Sequence, residues 1–164
     1  MKDRPNLIQE DYIGTEHFPW KVLVICQCLN LASWPTVEVV VKDFFERYPD
    51  PYTCDEVSLD KNTQSNKALF NLVRFLGFGE RRTEYLIQMS REYVGNIRKY
   101  EDSYGKYPIS KVTGCGKYAC DAWDLFVLQR KCRPADKHLK RYAEKVKLME
   151  EIDLGEDQSS IKVV

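Results

Sequence analysis

The chain is 164 residues long, with a formal net charge of zero, 43% hydrophobic and 30% charged residues, enough to bury the core of one globular domain. Its apolar runs fall far short of the ~20 residues of a membrane span, and the opening MKDRPNLIQEDY has no signal-peptide core. Cys26, Cys28, Cys54, Cys115, Cys120 and Cys132 form no Cys-x-x-Cys or Cys/His pair, so no metal site is expected, and reduced thiols inside a cell are.

Leu7 and Ile8 are expected to dock on the domain while the residues before them fray. PWKVLVICQCLN (19–30) is apolar on nearly every side, as in a central buried helix, with Cys26 and Cys28 acting as small hydrophobes. In SWPTVEVVVKDFFERYP (33–49), Ser33 is placed to cap a helix and Pro35 sits in its first turn. Val37, Val40, Val41, Phe44 and Phe45 fall on one helical stripe, and Pro49 ends it. That period outweighs the β-branched run at 39–41. Residues 50–66 are polar and turn-rich, a surface loop or a short irregular helix. KALFNLVRFLG (67–77) predicts a helix ending at Gly77. Residues 80–97 predict an amphipathic helix with Tyr85, Leu86, Met89 and Tyr93 inward.

Pro108 opens a short helical turn, the Gly114–Gly116 turn leads into the helix KYACDAWDLFVLQRKC (117–132), and a last helix begins near Asp136. With no strand alternation, the expected fold is all-α, a helical bundle. One domain is expected over 1–149, with a helix–hairpin–helix at about 108–131, followed by an acidic, flexible tail over 150–164.

Charge is unevenly divided. Between Lys106 and Lys147, eleven basic residues stand against Asp121, Asp124, Asp136 and Glu144. Such a segment beside an acidic tail suits a polyanion partner, or else forms a solvated helix face. The stretch VTGCGKYACDAW (112–123) lies inside it. A dinucleotide fingerprint requires a strand before its glycines, and a P-loop requires a Ser or Thr after Gly116-Lys117, where Tyr118 stands. What remains is a tight turn between helices, whose backbone N–H groups can hold a phosphate of a nucleic acid.

ISKVTGCGKYACDAW (109–123), followed by RPADKHL (133–139), resembles the helix-hairpin-helix–GPD superfamily of DNA glycosylases. The pieces NLIQE, PWKVLV, CLNLAS, FFERYP, LGF and KYP, with the hairpin, follow in order the pattern of the methyl-CpG-binding-domain thymine glycosylases, over roughly residues 5–148. The resemblance implies a glycosylase fold with a DNA-binding cleft. In bifunctional members of the superfamily, the slot of Tyr118 carries the lysine that forms a Schiff base. Lys117 is one residue earlier and turned by about 100° on a helix, toward phosphate rather than the sugar. A monofunctional enzyme is therefore implied, with Tyr118 lining the base pocket and Asp136 as the catalytic carboxylate. Taken alone, Asp136 is also a plausible helix N-cap.

The same resemblance places Gly114, Gly116 and Lys117 on a DNA strand and Leu31, where relatives carry a polar residue, in the slot of a DNA wedge. Phe78 falls at a second intercalating turn, with ordinary core as the alternative. Arg81 and Arg82 meet phosphates or begin a solvated helix, and His138 meets a phosphate or lies on the surface. Asp121 and Asp124 are expected to face solvent. No cysteine follows Cys132, so no iron–sulfur cluster is expected, and no cofactor of another kind.

Two functions follow. One is a monofunctional glycosylase of base-excision repair acting on thymine or uracil opposite guanine; Pro134, Asp136 and Tyr118 favour it. The other is a catalytically inactive helix–hairpin–helix module that binds DNA or a chromatin protein; Leu31 and the zero net charge favour that. The expected setting is a nuclear monomer on double-stranded DNA, with a chromatin or repair protein as a further partner and no membrane. The chain then stands as a catalytic module or a fragment of a longer protein.

Overall fold

The computed structural model describes residues 6–96 and 108–151. Seven α-helices are present among these residues: α1 (Phe18–Leu29), α2 (Trp34–Arg47), α3 (Pro51–Asp55), α4 (Gln64–Val73), α5 (Gly79–Gly95), α6 (Lys117–Ala122) and α7 (Lys137–Lys145). Short 3-10 turns add Ile8–Tyr12, Arg74–Leu76 and Ile109–Lys111. No strand is present among the described residues; Cys132 and Met149 form a lone parallel bridge. The fold is all-α, as the periodicity predicts.

Helix α1 is the axle of the bundle. All residues from Trp20 to Cys28 are buried, because α2, α5, α6 and the N-terminal 3-10 turn surround them. A helix apolar on every side has no other stable place. Among the polar ties inside this core, the Trp20 indole donates to the Ser90 hydroxyl of α5 at 3.0 Å. Leu7 and Ile8 dock as expected, both buried.

In α2, the stripe Val37, Val40, Val41, Phe44 and Phe45 faces the core, and the helix ends before Pro49. Ser33 occupies the N-cap position, yet its hydroxyl meets Thr36 Oγ1 at 2.9 Å instead of a backbone N–H. The polar segment 50–66 holds the short α3, capped by Asp50, whose carboxylate accepts from Thr53 N at 2.8 Å. Thr63 caps α4 through its bond from Asn66 N. Gly77 takes φ 81°, the left-handed geometry that ends the 3-10 turn after α4. In α5, Leu86, Met89 and Tyr93 are buried, while Tyr85 is only half-buried.

The predicted helix over 117–132 is shorter than the periodicity suggests. After Ala122 it widens into a π turn, Trp123–Val127, closed by Leu128 N on Trp123 O at 3.1 Å. The wider turn lets Trp123, Leu125 and Phe126 all sink into the core, a spread broader than one helical stripe. Asp136 then starts α7. Most of the acidic tail, from residue 152 on, lies outside the described residues, as do residues 1–5 and 97–107.

Candidate active site

A cavity of about 470 Å³ opens where the end of α1, the 112–116 turn, the start of α6 and the start of α7 meet. Its walls include Cys26, Leu29, Asn30, Leu31, Trp34, Gly114, Gly116, Lys117, Tyr118 and Asp136. Tyr118 and Asp136, 18 positions apart in the chain, thus share one cavity.

Asp136 caps α7. Its Oδ2 accepts from His138 N and Leu139 N, both at 2.9 Å, so the carboxylate is fixed in direction by two backbone donors. Tyr118 is held from behind: its hydroxyl accepts from Gln9 Nε2 at 3.1 Å. Burial, with the nearby Cys26 and Asp136 adding to it, pushes the Tyr118 pKa far up, so the phenol stays protonated. Burial also raises Cys26 well above the usual thiol range, which leaves it an inert wall group. His138 packs its ring against Trp34, centroids 4.4 Å apart, at the same rim.

The turn before α6 is built by long-range contacts. Gly114 has φ 75°, and a Cβ there would stand 2.8 Å from Gln27 Nε2, which donates to Thr113 O at 2.9 Å. Glu92 of α5 accepts from Thr113 N at 2.9 Å and from the Thr113 hydroxyl. Gly116 has open space around it and φ −106°.

Two apolar tips border an adjoining cleft, and one of them, Leu31, also lines the cavity. Leu31 follows α1 and is 78% exposed; Phe78 precedes α5 and is 62% exposed. Both have left-handed backbones, φ 56° and 50°, a strained choice for bulky side chains. A smaller cleft of about 90 Å³ lies between them, bordered also by Arg81 and Gly114.

This chain is 34% identical over 121 residues to a methyl-CpG-binding domain protein 4-like protein of Arabidopsis thaliana, a similarity covering 74% of this chain and 23% of that one. A solved structure of a thermostable thymine-DNA glycosylase superposes with a TM-score of 0.62 over 87% of this chain, at 18% identity. The fold is that of a DNA glycosylase. No family model matches the chain. The chain spans about a quarter of the length of the plant relative and 60% of the solved glycosylase chain.

On this glycosylase fold, Asp136, Tyr118, Lys117, Gly114, Gly116 and Leu31 meet at one cavity, and Phe78 and Arg81 meet Leu31 at the adjoining cleft. Phe78 is on the surface, not in the core. Arg82 departs from expectation. It is only 6% exposed, and although it borders the small cleft its guanidinium donates to five backbone carbonyls, so its donors are engaged within the protein rather than presented to a phosphate.

Asp121 departs too. It is 3% exposed, not solvent-facing, accepting from Lys117 Nζ at 2.6 Å and Ala135 N at 3.3 Å. Asp124 pairs with Arg130 at 2.5 Å. Asp121, Asp124 and the Cys132 thiol lie close enough to share an ion. Both carboxylates are already matched by cations, and burial pushes the thiol up to about 11, a poor donor set for a metal. Sequence reasoning missed Gln9, Gln27 and Glu92, polar residues inside helical segments whose partners lie far along the chain.

Proposed function

We propose that the chain is a monofunctional DNA glycosylase that hydrolyses the N-glycosidic bond of thymine or uracil opposite guanine. The observation that carries this reading is the shared cavity of Tyr118 and Asp136. A base inside duplex DNA keeps its glycosidic bond out of reach, so the target nucleotide must leave the stack and enter a pocket. A cavity of about 470 Å³ has room for one base. As the bond to the base breaks, positive charge develops on the deoxyribose, and the Asp136 carboxylate stabilises it and orients water. Water adds its hydroxyl to the sugar carbon and its proton ends on the departing base, which leaves an abasic site in an unbroken strand.

The fate of Lys117 supports the monofunctional reading. Its ammonium is bonded to Asp121 Oδ1 at 2.6 Å and to Arg133 O at 3.3 Å. The hydrogen bond it donates to Asp121 raises its pKa from the ordinary lysine value, the reverse of what an amine nucleophile requires. The Gly114–Gly116 turn and Lys117 hold one DNA strand, Arg81 and His138 sit beside it, and Leu31 fills the space of the extruded nucleotide. The exposed Leu31 tip supports the enzyme over a non-catalytic module. We place the enzyme in the nucleus, as a monomer of one domain over 1–149 acting on double-stranded DNA, alone or with a chromatin or repair protein.

The test is base release from duplexes carrying G·T or G·U. Free base with a strand that breaks only after alkali is the expected result, and borohydride traps no covalent adduct. Release from neither duplex rules out the enzyme; a trapped protein–DNA band rules out its monofunctional chemistry.

Leu31→Ala removes about three buried carbons from the inserted state, ~2 kcal/mol. Excision from a well-paired A·U target is expected to fall about tenfold, and from G·T less, because a mismatched base is easier to extrude. Equal losses on both targets argue against insertion.

A further inference from the structure

The two strained tips have a common support. Arg82, on the first turn of α5, sends Nε to Gly77 O at 2.7 Å and NH2 to Leu76 O at 3.3 Å, the end of the 3-10 turn before Phe78. The same guanidinium sends NH1 to Gln27 O at 2.7 Å and Cys28 O at 3.5 Å, and NH2 to Asn30 O at 2.5 Å, the end of α1 before Leu31. Its grip reaches the residue immediately ahead of each tip, Asn30 and Gly77. These carbonyls sit where a helix ends and have no partner within the helix, and the negative end of the α1 dipole lies there as well. That explains why a buried guanidinium is tolerated: it is the shared C-terminal cap of two turns.

We propose that Arg82 is a positioning residue that locks Leu31 and Phe78 into one rigid unit for entering the base stack. The inference rests on the glycosylase reading given above. A lone tip at positive φ relaxes readily, since its strained geometry persists only where the surroundings hold it. Joined through one planar five-donor fork, neither turn moves without the other. Lysine keeps the charge but is a single point with three donors, and it cannot span both turns.

Arg82→Lys is compared with the unaltered chain on two DNAs: uracil in a fully paired A·U duplex, and uracil inside a three-nucleotide bubble with paired arms. Excision from the paired duplex is expected to fall at least tenfold, and from the bubble less than twofold, since there the tips have little unstacking to do. A general loss of structure lowers both alike, and an equal fall overturns the proposal. A second measurement leaves Arg82 in place. In a cycle of Leu31→Ala, Phe78→Ala and both together, coupled tips make the double loss on the paired duplex at least threefold smaller than the product of the single losses. Both substitutions are on exposed side chains, so folding is not at stake. A multiplicative result means that the tips act independently and overturns the proposal. Failure of the unaltered chain to release uracil from a G·U duplex run alongside instead removes the glycosylase reading itself.

Discussion

Asp136→Asn is expected to lower base release by about 10³-fold or more, the scale of losing the main electrostatic stabiliser of a developing charge. The fold is expected to survive. Asparagine caps a helix about as well as aspartate, and its side-chain oxygen can take over the bonds from His138 N and Leu139 N. Melting temperature and DNA affinity therefore stay close to those of the parent while single-turnover excision collapses. Asp136→Ala removes the cap as well and costs a further ~1 kcal/mol of stability. Comparing the two separates the chemical role of the carboxylate from its structural one. An asparagine variant with parental excision shows that another group carries the reaction.

The second large effect divides the two glycines of the hairpin. Gly114→Ala introduces a Cβ 2.8 Å from the Gln27 amide at φ 75°, so it strains the backbone and disturbs the bond that holds Thr113. A loss of about 1–3 kcal/mol is expected. The Cβ that Gly116→Asp adds meets no atom within 4 Å and the backbone needs no unusual φ, so stability changes by less than about 0.5 kcal/mol. Its carboxylate lies in the turn proposed to hold a DNA strand, and DNA affinity is expected to fall tenfold or more, with a shallower dependence on salt. Thermal melting and fluorescence anisotropy at two salt concentrations read both quantities. Unchanged affinity in Gly116→Asp moves the DNA-binding surface away from the hairpin.

Much of this architecture is local information. The stripe Val37, Val40, Val41, Phe44 and Phe45 has helical spacing and is buried as a face. The all-round apolar segment at 19–30 becomes the central helix, and Gly77 lies at the end of a turn because a left-handed residue is needed there. The candidate site was legible in part for the same reason. Gly114, Gly116, Lys117 and Tyr118 are consecutive or nearly so, and Asp136 has the local signature of an N-cap as well as the place after the hairpin that the family resemblance assigns to it.

The polar framework of the site was decided elsewhere. Charged residues are exposed by default, which is why Asp121 and Arg82 read as surface groups. Both are buried because the fold supplies compensation that no local pattern encodes: Lys117 and Ala135 N for Asp121, and the carbonyl ends of two separate turns for Arg82. Gln9 supports Tyr118 across 109 positions, and Gln27 and Glu92 shape the hairpin from α1 and α5. Periodicity reports which face of an element avoids water. It carries nothing about which distant backbone group will meet a given side chain, because that pairing exists only after the apolar faces have packed and brought the two together.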